Sequence, residues 1–177
     1  PPPGTGAADV KANILIMLDK SGSMGWAQGT PDLRDPVDVA VNSAGLVHVV
    51  DWADNAIKIF SASGTLLHTI TGNHYGPNPV YNISSERHYF YHPSKILVDK
   101  YDNYWVLNRS ASELLKFNSS NKFVCAFTWD MGGGHSQYLA DTMATDSNGR
   151  IFIQKGRIFV VDNDCDYVGA IETQGGS

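Results

Sequence analysis

"PVDVAVNSAGLVHVVDWADNAIKIFSASGTLLHTI", from Pro36 to Ile70, decides how the whole chain is read. Apolar and polar residues alternate through VDVAV, LVHVVD, AIKIF and TLLHTI, and NSAG, WADN and SASG interrupt them. Successive side chains of an extended backbone point to opposite faces. Alternation broken by Asn, Asp, Ser and Gly therefore marks short antiparallel strands joined by tight turns. The unit predicts a four-stranded meander. The pattern returns twice. "PSKILVDKYDNYWVLNRSASELLKFNSSNKFVCAF", from Pro93, aligns with it without a gap, setting Val39, Val49, Ile57 and Phe60 on Ile96, Val106, Leu114 and Phe117. "DTMATDSNGRIFIQKGRIFVVDNDCDYVGAI", from Asp141, sets Gly149 under Gly45 and shortens Asp51–Ala56 to Lys155-Gly156-Arg157.

A meander of this length cannot bury both of its faces alone, so it must stack on copies of itself. A radial stack of such sheets is a β-propeller. The expected fold is thus all-β, with propeller blades of four strands each. Propellers close with about four to eight blades, whereas three copies are present here. The end blades are expected to leave apolar flanks open, covered by self-association or by another protein chain. The 177 residues carry a formal net charge of −5, and their 13 Lys and Arg are scattered, which argues against a nucleic-acid partner. No apolar run is long enough to span a membrane as a helix.

The stretch P-x-D-V-A-V-x-x-x-G-x-V-x-V-x-D-W-x-x-N-x-I-x-x-F, Pro36 to Phe60, resembles the NHL repeat, a propeller blade of extracellular enzymes, adhesins and regulatory scaffolds. The resemblance implies blades over 31–72, 92–130 and 131–177, with an inter-blade insert at 73–91. Ahead of them lies a Pro/Gly-rich linker, 1–12, and then "NILIMLDKSGSMG". That segment, within 13–30, resembles the first strand and metal-site loop of a von Willebrand factor A domain. The second resemblance implies Asp19, Ser21 and Ser23 as hard oxygen ligands for Mg²⁺ or Ca²⁺. The helix and later strands of that domain do not follow, so 13–30 is expected as an extra N-terminal β-strand that packs on another sheet. No cofactor is required.

Further candidates are scattered. Asn82, Asn108 and Asn118 each open an N-x-Ser sequon and are candidate glycosylation sites. Cys125 and Cys165 are candidates for one disulfide, although the outer strands of neighbouring blades splay apart and a bridge needs close Cα atoms. His74, His88 and His92 lie in or beside the insert and would be the ligands of a zinc site, if there is one. No Cys–His or Ser–His–Asp arrangement can be traced, and the expectation is a chain that is not an enzyme. It would be an extracellular or cell-surface protein acting through protein contacts, as an adhesin-like module or a self-assembling subunit. The alternative is a metal-dependent lyase or hydrolase on the same scaffold.

Overall fold

Tight hairpin turns set the architecture, and in the first and last turn of each blade short polar side chains shape them. The computed structural model describes residues 32–71, 90–129 and 142–172, together with Ala140 and two short strands at 81–83 and 86–88. The first blade is β1 (Pro36–Val41), β2 (Val47–Asp51), β3 (Ala56–Phe60) and β4 (Leu66–Thr71). A small hairpin follows, β5 (Tyr81–Ile83) and β6 (Glu86–His88). The second blade is β7 (Pro93–Val98), β8 (Tyr104–Asn108), β9 (Glu113–Phe117) and β10 (Phe123–Thr128). The third is β11 (Thr142–Thr145), β12 (Ile151–Lys155), β13 (Arg157–Val161) and β14 (Tyr167–Ile171). Each blade is a separate four-stranded antiparallel sheet with its strands in sequence order. The expected all-β class and blade architecture are therefore present.

The first turn of every blade uses the same device. Asn42 Oδ1 accepts the N–H groups of Ala44 and Leu46, Asp99 Oδ1 those of Tyr101 and Asn103, and Asp146 Oδ1 those of Asn148 and Arg150. An Asn or Asp that bonds its own following backbone replaces the missing ladder bonds of a turn. The third residue after it must then enter the left-handed region, and it is Gly45 (φ 77), Asp102 (φ 61) or Gly149 (φ 85). The turns between the third and fourth strands repeat this with Ser61, Asn118 and Asp162, and with Gly64, Asn121 and Cys165 at positive φ.

Both faces of the second blade pack against a neighbouring blade, so alternation along its strands separates left flank from right flank rather than core from solvent. Val50, Ile57 and Ile59 of the first blade pack with Ile96, Tyr104, Val106, Leu115 and Phe117 of the second. Trp105, Leu107 and Leu114 pack with Ile151, Ile153, Phe159 and Val161 of the third. Tyr104 and Phe117 stack at 5.1 Å between ring centroids. The first strands approach in sequence, β1 against β7 and β7 against β11, and Ile96 N–H donates to Asp38 Oδ2 at 2.9 Å across the first seam.

A disulfide joins the second seam at its outer rim: Cys125 on β10 and Cys165 in the last turn, with 6.0 Å between Cα atoms. The expected splay of the outer strands does not keep the turn carrying Cys165 from reaching β10. Lys116 Nζ reinforces this junction by donating to Asn163 O at 2.5 Å and Asn163 Oδ1 at 2.9 Å.

The flank of the first blade that faces away from the second is not bare. Val47, Val49 and Phe60 are buried, with Leu33, Val39 and Leu66 against them. The expectation of two open flanks is corrected on this side. Asp19, Ser21 and Ser23, and the extra strand expected around them, lie outside the described residues.

Candidate functional site

The two ends of the sheets differ. Among the described residues, one carries only the tight turns described above. The other carries the turns between second and third strands, and the long connections 72–92 and 129–141 begin and finish there. Rigid strands that present variable connections at one end are the usual platform for recognition. Three aromatic rings meet at this end, on the seam between the first and second blades.

Trp52 opens the WADN turn, fixed by its N–H to Asp35 O at 2.9 Å and by Asn55 N–H to Trp52 O at 3.3 Å. Its indole lies parallel to the His92 imidazole, 4.2 Å between centroids and 15° between planes. His92 stacks in turn on Tyr91 at 4.8 Å and 27°. The imidazole is thus part of a three-ring column, with Trp52 at 38% exposure as its outer member. His92 Nδ1 is 3.0 Å from Ser110 Oγ, and His92 N–H donates to Asn55 Oδ1 across the seam at 2.8 Å. Both residues of that bond have positive φ, Asn55 at 48° and His92 at 52°. Asn tolerates this region, but a histidine immediately before proline does not, because Pro93 pushes it toward extended backbone. About 1–3 kcal/mol of strain is therefore held at His92 by its surroundings.

Beside the column, Lys58 is buried at an otherwise apolar position of β3. Its Nζ donates to Asp51 Oδ2 at 2.8 Å and also bonds Asp54. Asp51 is fully buried and accepts three backbone N–H groups, from Arg34 (2.8 Å), Asp35 (3.1 Å) and Asp54 (3.3 Å). Burial alone would push its pKa up, but the bonds from Lys58 and the backbone outweigh burial and hold it below the ordinary value. The converse holds for Lys58: burial opposes its charge, and the two carboxylates overcome that and raise its pKa. Arg34 closes the set with a 3.0 Å bond to Asp54.

On the outward flank of the third blade, Phe152 pairs with Val160 and Ile158 with Ile171. Phe152 and Ile158 are half-buried and Ile171 is 52% exposed. Their counterparts at the same places in the second blade, Trp105 and Leu114, are completely covered by the third blade. One apolar flank therefore remains partly uncovered.

Of the residues singled out in the sequence, His92 lies in the column, while His74 and the side chains of Asn82 and His88 fall outside the described residues. Asn118 is half-buried, holding its turn. Asn108 is corrected as a glycosylation site. It is fully buried, with Oδ1 accepting Tyr91 N–H at 2.7 Å and Nδ2 donating to Glu113 at 3.0 Å, so a glycan does not fit in the folded chain. Among the described residues no group of three or more His, Cys, Asp or Glu side chains is placed to hold a metal ion. The Trp52–His92 stack was not read from the sequence. A tryptophan inside a turn motif, where solvent would face it, was the signal available.

No protein-family profile matches the chain, and no curated protein aligns with it significantly. Solved structures do resemble it. A streptogramin B lyase superposes with a TM-score of 0.60 at 13% identity, covering 82% of this chain and 43% of that one. A catalytically inactive virginiamycin B lyase from Staphylococcus aureus, with quinupristin, gives 0.61 at 14%, covering 83% and 44%. A protein of unknown function from Bacteroides caccae gives 0.53 at 13%, covering 77% and 48%. The chain spans less than half the length of each. At such identities the likeness establishes the propeller fold alone. It also corrects the expectation that the chain is not an enzyme: lyases are built on this fold, so the lack of a traceable catalytic triad excludes no activity.

Proposed function

We propose that this chain is a propeller segment acting through protein–protein contacts, as an adhesin-like module or self-assembling subunit outside the cell. The observation that carries this reading is the outward flank of the third blade, where Phe152, Ile158 and Ile171 occupy places that a neighbouring blade would cover. The Cys125–Cys165 bridge supports an oxidising compartment. The resemblance of 36–60 to NHL blades of adhesins points the same way. In solution at micromolar concentration, light scattering is expected to give a mass above that of one chain, and Phe152→Asp with Ile158→Asp to return it to one chain. A monodisperse single-chain mass for the unaltered protein refutes the reading.

A second reading, a metal-dependent lyase or hydrolase, is favoured by the strained His92 at the connection-bearing end. Stoichiometric zinc that is lost in His92→Ala would support it. Metal-free protein after growth in zinc-supplemented medium would remove it.

A further inference from the structure

The geometry points to a binding site for a planar aromatic ring on the outer face of Trp52, where it would extend the existing column as a fourth layer. Trp52, His92 and Tyr91 already form parallel stacks at 4.2 and 4.8 Å, so the column demonstrates the contact that the ligand would repeat. Offset parallel stacking suits flat π systems and is worth about 0.5–1.5 kcal/mol beyond area burial.

Three observations make Trp52 a prepared surface rather than a stray exposed side chain. Its backbone is pinned at both N–H and C=O, by Asp35 and Asn55. Its inner face is occupied by an imidazole whose own position is fixed by Ser110 and by the N–H bond to Asn55. The left-handed backbone at His92 shows that the fold maintains this position against local preference. An indole fixed in this way loses little conformational freedom when a ring lands on it. His92 is thus a positioning residue, and the ligand contact belongs to Trp52. The shared chemistry is the flat ring, whether it comes from an aromatic small molecule or from an aromatic side chain of a peptide. The inference is independent of what covers the third blade.

The test is a titration of the ¹⁵N-labelled full chain with p-cresol, following the indole N–H resonances. Saturable movement of the Trp52 signal is expected, while the signals of the buried Trp105 and Trp129 stay in place. His92→Ala should weaken binding by about twofold to tenfold, the range that one lost stack implies, and His92→Phe should restore it. A tyrosine-containing peptide that saturates the same signal at lower concentration would identify a peptide as the source, and p-cresol binding more tightly would identify a small molecule. Thermal melts of each variant report folding, and the titration of the unaltered chain stands without them. Absence of a saturable Trp52 shift, or an equal response to methyl glucoside, overturns the proposal.

Discussion

Replacing Lys58 by methionine tests how the first blade accommodates a buried charge. The substitution keeps the side chain's length and removes the cation that lies 2.8 Å from Asp51. Breaking one partner of a buried pair costs about 3–5 kcal/mol. Asp51 keeps its three backbone N–H donors after the change, so the low end, about 3 kcal/mol, is expected. For a chain of this size that corresponds to a fall in Tm of about 6–12 °C. Asp51→Ala should be worse, because it leaves those N–H groups unmet, at about 1 kcal/mol for each unmet donor, and leaves Lys58 with Asp54 alone. Asp51→Asn with Lys58→Leu copies Asn108 and Leu115 of the second blade, and should cost less than the two single changes together. Acid and base check the same pair. Asp51 titrates below its ordinary value in the folded chain, so its stabilisation is complete at neutral pH and disappears as pH falls through that lowered pKa. Lys58 titrates above its ordinary value, so its share persists at neutral pH and is lost only in strong alkali. Urea unfolding followed by circular dichroism at pH 7 measures all three variants. If Lys58→Met matches the unaltered chain within 1 kcal/mol, or if Asp51→Ala is the milder change, the argument fails.

Reduction of Cys125–Cys165, or Cys125→Ser, should lower stability by about 2–4 kcal/mol, since the bridge closes a loop of 40 residues' separation. Urea midpoints with and without reductant provide the check, and coincident midpoints would show that the second seam holds without it. His48, buried and tilted against Tyr104 at 4.8 Å, has its pKa lowered chiefly by burial. Its neutral form is the folded one, so stability should decline as pH falls below about 6.5 toward that lowered pKa. His48→Phe should flatten the slope between pH 7 and 5. An unchanged slope assigns it to other groups.

The strands and turns were legible because each obeys a local rule. VDVAV alternates, Asn42 and Gly45 fit the two special places of a turn, and the repeats reinforce one another. Burial was less legible. AIKIF reads as apolar and polar positions in turn, which in a half-solvated sheet would send Lys58 to water. The first blade is buried on both sides, so the same alternation buries Lys58 against Asp51, a partner seven residues away across the hairpin. Asn108 misled for a related reason: a sequon describes three neighbouring residues and is blind to Tyr91 and Glu113, which occupy the amide. The Trp52–His92 column depends on two residues joined only where one blade meets the next, and no local pattern announces that contact. Cys165 lies in a turn of the third blade, and its approach to β10 is a tertiary property that no local pattern encodes.

The shortened turn Lys155-Gly156-Arg157 sets the outward side of the third blade apart from the first seam. In the first blade Asn55 Oδ1 hooks the incoming backbone of the second by accepting His92 N–H at 2.8 Å. The third blade has deleted the residue that would do this. Whatever lies against Phe152 and Ile158 must find its alignment from side-chain fit alone, without a main-chain peg. That junction should accordingly tolerate slippage, and accept differently built neighbours more readily than the first internal seam.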